Sequence, residues 1–285
     1  MANFYYLMGV REDDFQLSHR FLTSWLLPPM YLAILRALIS IYAFTTIFFI
    51  FGWQGTHSLT DANDGELSKF TSLTFWGIAF YFLFSTIHTC LYARRGYAPL
   101  DHWPRPLQAL HSLFYTTIVT FPFLVTIVFW VLLYDGSWFT IEFDAWSNVS
   151  TPVHGWCKRL LTALQTSRHS LNSLFALLEV LLSATNPPPW LHLLFLIVIL
   201  ALYLALAYLT FATQGFYTYN FLNPASGRGR VAAYCFGILA AVVVVFVVVW
   251  LLIWVRRKFT RTGKKSRGDM SGTRYGDLEM FQERK

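Results

Sequence analysis

Residues 231–255 read VAAYCFGILAAVVVVFVVVWLLIWV, a stretch of apolar side chains without a single charge. A helix needs about 20 apolar residues to cross the hydrocarbon layer of a bilayer. The rest of the chain has the same bias, because 55% of its 285 residues are hydrophobic and only 13% are charged. A soluble protein of this composition would not stay in solution. The sequence therefore predicts an all-α polytopic membrane protein.

Six stretches approach or exceed the length of a membrane span, and they cover residues 30–53, 70–93, 108–134, 170–184, 190–213 and 231–255. Each is predicted to be a helix, because a helix satisfies its own backbone hydrogen bonds in lipid. The fourth stretch is the shortest, and we count it as a span because the charge pattern requires an even number. The prediction is a leader, a six-helix membrane domain and a tail, over residues 1–29, 30–255 and 256–285.

Lysine and arginine set the predicted orientation of the six spans. The tail after residue 255 carries ten of the 22 basic residues, and the second loop adds three arginines. The first loop is instead predominantly acidic. By the positive-inside rule, both termini and the even-numbered loops are predicted to be cytoplasmic. The single Asn-x-Ser/Thr sequon, at Asn148, falls in the third loop, on the side where glycosylation occurs.

The two ends of the chain carry weaker patterns. The leader places apolar residues near helical spacing, which fits a short interfacial helix and fits an undistinguished amphipathic leader equally well. The tail is rich in Lys, Arg, Ser and Gly and is predicted to be disordered. Its basic cluster is interpreted first as an ordinary topology anchor, and contact with anionic lipid is the alternative. With no organelle signal in the sequence, the endoplasmic reticulum or wider endomembrane system is the expected location, and the plasma membrane is the alternative.

Metal sites and familiar nucleophile motifs are missing from the sequence. The eight histidines are scattered, and no pair has the spacing that zinc hydrolases or membrane di-iron enzymes use. The chain also contains no G-x-S-x-G elbow and no glycine-rich phosphate loop. We therefore expect no metal and no cofactor. The expected partners are membrane lipid or a lipid-ester substrate; nucleic acid is not expected, and the sequence identifies no protein partner.

The second predicted span carries a stripe of polar side chains. At 100° per residue, one narrow face of a helix holds Thr74, Tyr81, Ser85 and His88. Side chains of this kind often bind neighbouring helices together in membranes. The stripe is therefore either packing between helices or one wall of a functional site.

The fourth predicted span begins with His169 and carries Asn172 and Glu179. A carboxylate inside a span costs about 2.5–3.5 kcal/mol on insertion scales, so Glu179 is expected to face the bundle. A structural hydrogen bond between helices is the alternative role for this carboxyl. In the first span, Arg36 is expected to be structural and to extend its guanidinium to the cytoplasmic surface.

Thr74 and His169 enter the membrane from the same predicted side and at similar depth. A threonine hydroxyl is a poor nucleophile until a base within hydrogen-bond reach takes its proton. Histidine is the commonest such base. The two residues are therefore a candidate catalytic pair, and two unrelated structural residues are the alternative.

Three segments have the order and spacing of a known family. They are Leu73-Thr74-Phe75, His169-Ser170-Leu171-Asn172 with Glu179 ten residues after the histidine, and GFYTYNFL at residues 215–222. Over roughly residues 30–255 the chain resembles the androgen-induced gene 1 protein and androgen-dependent TFPI-regulating protein family, which are multispan membrane threonine hydrolases. In the third segment, Tyr217 and Asn220 stand where the family has tryptophan and proline.

The resemblance implies hydrolysis of fatty acid esters of hydroxy fatty acids without a metal. It implies that Thr74 attacks the ester carbonyl, and that His169 acts as general base and then protonates the departing alkoxide. Asn172, Glu179 and Tyr81 are the expected supporting residues. The alternative to this lipid-ester hydrolase is a non-enzymatic multispan protein, either a scaffold or a small transporter-like bundle.

One segment departs from the family's pattern. Residues from about 150 to 168 form an extra stretch before His169, either a real insertion or a gene-model error. This stretch is the feature expected to separate His169 from Thr74. It also contains His154, a competing candidate base that ranks below His169 because no matching helix follows it.

Overall fold

The structure is a computed structural model that describes residues 2–10, 17–56, 65–133 and 171–282. Within these ranges the chain is all-α, with no strand. In chain order the helices are α1 (Ala2–Leu7), α2 (Leu17–Leu22), α3 (Pro29–Thr56), α4 (Phe70–Arg95), α5 (Arg105–Val128), α6 (Leu171–Leu182), α7 (Leu191–Gln214) and α8 (Arg228–Gln282). A π-helical stretch, Phe129–Leu133, continues α5.

Five of these helices are long and apolar enough to cross a membrane. They are α3, α4, α5 with its π-helical end, α7 and α8 as far as Thr260. Helix α6 is shorter, at Leu171–Leu182. The predicted all-α membrane class is confirmed, with five candidate spans in the described part of the chain.

Helix α4 lies at the centre of the described bundle. It packs along α3 on one side and against α5 on the other. Its polar stripe is buried, since Thr74, Tyr81, Ser85 and His88 are all less than a tenth exposed. Helix α4 ends at Gly96, whose φ of 65° lets its N–H reach the carbonyl of Tyr92. The central helix therefore presents its polar face to its neighbours and not to lipid.

The leader packs into the bundle. Phe21 and Leu22 of α2 are 9% and 1% exposed, and the rings of Phe21 and Tyr115 pack edge to face. Just after α2, Trp25 Nε1 donates a hydrogen bond to the carbonyl of Leu181 at 2.6 Å. The leader's helix is thus packed against other helices, and its predicted position at the membrane interface stays a prediction.

The carboxyl-terminal end of α6 receives several donors. A helix leaves its last four carbonyls without partners inside the helix. The Ser24 hydroxyl donates to the carbonyl of Leu182, next to the one that Trp25 reaches. From α8, the guanidinium of Arg256 donates to the carbonyls of Val180 and Thr185. The leader and the last helix together satisfy the end of this short helix.

Arg256 lies where the sequence predicted the start of a disordered tail. The structure instead continues α8 through this position to Gln282, with side chains described as far as Thr260. Arg256 is 7% exposed, because its guanidinium turns into the bundle towards α6. A hydrogen-bonding partner 76 residues away leaves no signal in the local sequence.

Replacing Arg256 by methionine is expected to destabilise the fold by about 2–3 kcal/mol, because buried carbonyls of α6 lose charged hydrogen bonds. Arg230→Met, on the same helix at an exposed position, makes the same change of charge and size. Unfolding of both variants in detergent micelles is the measurement. Equal stability of the two variants would show that Arg256 does not stabilise α6.

Candidate functional site

Thr74 meets Asn172 where α4 crosses α6. Thr74 is 8% exposed and Asn172 is fully buried. The Thr74 hydroxyl donates to the carbonyl of Thr71 at 2.9 Å, a bond within its own helix. Asn172 Nδ2 lies 3.3 Å from Thr74 Oγ1 and donates to it. The structure therefore brings together two of the residues that the sequence singled out, one from each helix.

The other end of the Asn172 amide is without a partner among the described residues. Its Oδ1 is buried and accepts no hydrogen bond there. A buried acceptor left unpaired costs about 1–3 kcal/mol, so such groups are uncommon outside functional sites. The amide thus holds the Thr74 hydroxyl with its nitrogen and offers its oxygen to a donor.

A second contact holds the start of α6 against α5. The Ser173 hydroxyl donates to the carbonyl of Pro122 at 3.0 Å and lies 2.6 Å from Thr126 Oγ1. Proline has no N–H, so Pro122 interrupts the hydrogen-bond ladder inside α5. Asn172 and Ser173 therefore attach the first turn of α6 to two different helices.

His169 lies outside the described residues, as do Asn148, His154 and the extra stretch before His169. The predicted contact between Thr74 and His169 stays a prediction. The predicted glycosylation at Asn148 stays one as well.

Glu179 is engaged in a buried ion pair. Arg36 Nε donates to Glu179 Oε2 at 3.1 Å, and Arg36 Nη2 donates to Glu179 Oε1. The Tyr81 hydroxyl also donates to Oε1, at 3.1 Å. The predictions that Glu179 faces the bundle and that Arg36 is structural are confirmed. The guanidinium of Arg36 does not extend to the surface, because Arg36 is 1% exposed.

The remaining donors of Arg36 tie further helices to the pair. Arg36 Nη1 donates to the carbonyl of Phe21 at 2.9 Å and to Thr89 Oγ1 at 2.7 Å. Tyr81 lies seven residues after Thr74, about 10 Å along the helix. Arg36, with Glu179 and Tyr81, thus holds α2, α3, α4 and α6 together, while Asn172 is the predicted supporting residue that touches Thr74.

Thr74 lines a cavity of about 350 Å³ between α4, α5 and α7. Its other walls are mostly apolar and include Leu73, Phe114, Phe121 and Leu202. The cavity also contains the hydroxyl of Thr117, which donates to the carbonyl of Phe114 within its own helix. A cavity with these walls suits a hydrocarbon chain whose polar group approaches Thr74.

A second pairing of threonine with histidine was not predicted from the sequence. Thr116 Oγ1 lies 2.7 Å from His192 Nδ1, and both residues are fully buried. Thr116 also donates to the carbonyl of Ser112 in its own helix. Matching depth would not have found this pair, because Thr116 lies eleven residues into α5 and His192 lies at the start of α7. It is a competing arrangement of a threonine hydroxyl and an imidazole.

The described residues contain no cluster of three or more His, Cys, Asp and Glu side chains that could hold a metal ion. Comparison of the chain with protein-family models, with curated proteins and with solved structures found no match.

Proposed function

We propose that the chain is an integral-membrane lipid-ester hydrolase with Thr74 as nucleophile and His169 as general base. The proposal includes six spans with both termini in the cytoplasm, in the endoplasmic reticulum or wider endomembrane system. The resemblance to the androgen-induced gene 1 family supports it, and so does the geometry around Thr74. The substrate class is an ester of long-chain fatty acids, of which the fatty acid esters of hydroxy fatty acids are an example.

The hydrogen bond from Asn172 to Thr74 carries the proposal. His169 precedes Asn172 by three residues, and three residues span at most about 11 Å even when fully extended. Because Asn172 Nδ2 lies 3.3 Å from Thr74 Oγ1, this short chain connection supports the proposal that His169 can reach Thr74. The extra stretch lies on the other side of His169 in the chain, so it does not lengthen this connection.

The chemistry runs through a covalent intermediate. His169 accepts the proton of the Thr74 hydroxyl as Oγ1 forms a bond to the ester carbonyl carbon. The tetrahedral intermediate collapses, the bond to the alcohol oxygen breaks, and His169 returns the proton to the leaving alkoxide. Water then attacks the carbonyl carbon of the acyl-threonine while His169 takes a proton from it. The bond between that carbon and Thr74 Oγ1 breaks, and His169 returns the proton to Oγ1. The products are the free acid, the alcohol and the regenerated hydroxyl of Thr74.

Asn172 positions the nucleophile in this scheme. Its Nδ2 donates a hydrogen bond to Thr74 Oγ1, so the oxygen is the acceptor in this contact. The hydroxyl keeps its own proton, which a base has to remove before attack. In the structure that proton points to the carbonyl of Thr71, so the hydroxyl has to rotate towards the base before attack. Rotation about one side-chain bond is a small rearrangement.

The alternative function is a non-enzymatic scaffold or a small transporter-like bundle. In a transporter, an intramembrane carboxylate would be expected to line a path for the cargo. Glu179 is instead closed off by Arg36 and Tyr81. This arrangement favours a structural role for Glu179 in either function, and it removes one argument for transport.

A fluorophosphonate probe tests the nucleophile directly. We expect the wild-type chain to be labelled at Thr74, because the probe reacts with an activated hydroxyl, and we expect Thr74→Ala to abolish labelling. Thr117→Ala is the matched control, since it removes a hydroxyl from the same cavity and should leave labelling unchanged. Peptide mapping by mass spectrometry identifies the labelled residue.

Two other outcomes contradict the proposal. If Thr116→Ala abolishes labelling while Thr74→Ala retains it, the nucleophile belongs to the pair with His192. If the wild type is neither labelled nor able to hydrolyse long-chain esters in nanodiscs, the result favours the scaffold function over the hydrolase function.

A further inference from the structure

A polar cavity lies at the other end of α6 from Asn172. Its volume is about 500 Å³, and its walls come from the leader, α5, the last turns of α8 and residues 185–190 between α6 and α7. Thr185, in this wall, lies roughly 20 Å beyond Asn172 by the rise of the helix. The polar cavity shares no wall residue with the cavity that Thr74 lines. It is therefore a separate place in the fold.

Two arginines line the polar cavity, Arg20 from α2 and Arg257 from α8. No Asp or Glu of the described residues joins them in the wall. Each arginine also has another interaction within the chain, and a guanidinium has several N–H donors to distribute among its partners. Guanidinium groups bind phosphate through paired, charge-assisted hydrogen bonds. Two distant parts of the chain thus bring phosphate-binding side chains to one cavity.

The neutral hydroxyls beside the arginines donate inwards. The Ser183 hydroxyl donates to the carbonyl of Glu179 at 2.7 Å, so it accepts from the Thr185 hydroxyl at 3.0 Å. Thr185 in turn accepts from the Tyr115 hydroxyl at 2.6 Å. Because a hydroxyl has one proton, Tyr115 and Thr185 have none left for an occupant of the cavity. An anion there takes its charged hydrogen bonds from the arginines.

Asn186 adds a buried acceptor to the same wall. Its Oδ1 is buried and accepts no hydrogen bond from the described residues. A buried acceptor without a partner is costly, and a donor on an occupant would satisfy it. Three prolines follow at residues 187–189 and restrict the backbone on this side of the cavity. A matching occupant therefore carries an anionic group and also a hydrogen-bond donor.

The cavity extends from the apolar part of α8 to its basic end. Trp250 and Arg257 both line it, two helical turns or about 10 Å apart. The ring of Trp190 lies against that of Trp250, with centroids 5.7 Å apart, and tryptophan is typical of the headgroup level of a bilayer. In the orientation proposed above, this end faces the cytoplasm, where anionic lipids are enriched. A phospholipid can therefore reach the site with its headgroup.

We propose that this cavity binds a phosphate ester that carries a hydroxyl group. Arg20 and Arg257 hold the phosphate, and the hydroxyl donates to Asn186 Oδ1. Two sources have this chemistry, a phospholipid headgroup such as that of phosphatidylglycerol and a soluble ester such as glycerol 3-phosphate. Binding makes and breaks no covalent bond, and it does not depend on Thr74 or on the hydrolase function.

Loss of one arginine tests the phosphate contact. We expect Arg257→Gln to raise the Kd for phosphatidylglycerol at least about tenfold, as measured by native mass spectrometry of the full chain released from micelles. Lys258→Gln is the matched control, because it removes the same charge from the next residue, which lies over the Trp254 ring and outside the cavity. This control should stay within about twofold of the wild type.

Arg20→Gln repeats the test from a different helix, and the unfolding temperature in detergent shows whether each variant is folded. A folded Arg20→Gln chain is expected to lose affinity as Arg257→Gln does. Equal losses for Arg257→Gln and Lys258→Gln would show general attraction to basic residues and would overturn the proposal. Unchanged affinity in both arginine variants would overturn it as well.

A second pair of lipids tests the hydroxyl contact. Phosphatidylmethanol has the same phosphodiester charge as phosphatidylglycerol but no headgroup hydroxyl. We expect the wild type to bind phosphatidylglycerol about 2–10-fold more tightly, and Asn186→Leu to abolish this preference because it removes the acceptor. Equal binding of the two lipids by the wild type would contradict the role of Asn186.

Competition identifies the source of the phosphate ester. Retained phosphatidylglycerol that glycerol 3-phosphate does not displace assigns the site to a lipid headgroup, whereas binding of glycerol 3-phosphate alone assigns it to a soluble ester. Binding of neither compound overturns the proposal. Because none of these measurements involves turnover, their failure leaves the hydrolase function unaffected. In the same way, absence of probe labelling at Thr74 would leave this binding site unaffected.

Discussion

Replacing Glu179 by alanine is expected to destabilise the fold by about 3–5 kcal/mol, because the change leaves the buried guanidinium of Arg36 without its counter-ion. Arg36 and Glu179 are only 1% and 2% exposed, so water cannot take over the lost contacts. Tyr81 loses its acceptor in the same variant. We expect the protein to accumulate poorly in membranes and to unfold at lower temperature in detergent.

The double variant Arg36→Met/Glu179→Met separates the charge from the packing. A buried ion pair exchanged for apolar side chains of similar size is often close to neutral in stability, whereas removal of one partner is costly. The double variant should therefore be more stable than Glu179→Ala, although the Phe21 carbonyl and Thr89 lose their donor. A double variant less stable than the single one would show that Arg36 does not depend on Glu179.

Replacing His169 by alanine is expected to lower ester turnover by about 10²–10⁴-fold, the usual contribution of a positioned general base. The protein should still insert and accumulate as the wild type does, because the contacts of Asn172 and Ser173 hold the start of α6 without His169. Turnover of a long-chain ester in nanodiscs and the amount of folded protein are the two measurements. Loss of both would assign His169 a structural role.

His154→Ala is the matched control, because it removes the other histidine of the same loop. Its turnover is expected to equal that of the wild type. The reverse result, with His154 essential and His169 dispensable, would move the general base into the extra stretch. In that case the base would not be brought to Thr74 by the short connection of three residues between His169 and Asn172.

The class of the fold follows from the sequence, because apolar length and charge bias are local properties. The predicted spans at 30–53 and 190–213 differ from α3 and α7 by only a few residues. The buried stripe on α4 was also predictable, since helical periodicity places Thr74 and Tyr81 on one face. The predicted six-span topology stays a prediction beyond the five long helices.

Partners across the bundle could not be predicted in the same way. The sequence placed Arg36 at the surface because its counter-ion, Glu179, lies 143 residues away in the chain. Arg256 was assigned to the tail for the same reason, with its acceptors in and just after α6. A pattern within one span shows which side chains are costly in lipid, but not which helix satisfies them.

The site was predictable in part. The predicted depths in the membrane placed Thr74 near the start of the fourth span. In the structure, Asn172 of that span donates a hydrogen bond to the Thr74 hydroxyl. The polar stripes and the resemblance grouped Tyr81 and Glu179 with the site, although they form a separate network further along α4. The resemblance describes spacing along the chain, and depth describes position along the membrane normal. Neither shows which helices are neighbours in the plane of the membrane.

The capping of α6 has a consequence for how the chain is made. The donors that complete its carboxyl-terminal end come from both extremes of the polypeptide, Trp25 and Ser24 from the beginning and Arg256 from near the end. The ribosome synthesises Arg256 76 residues after Val180, so the helix that carries Asn172 is incomplete while α7 is inserted. The hydrogen bonds that complete this end of α6 therefore form only after the last membrane helix has been made.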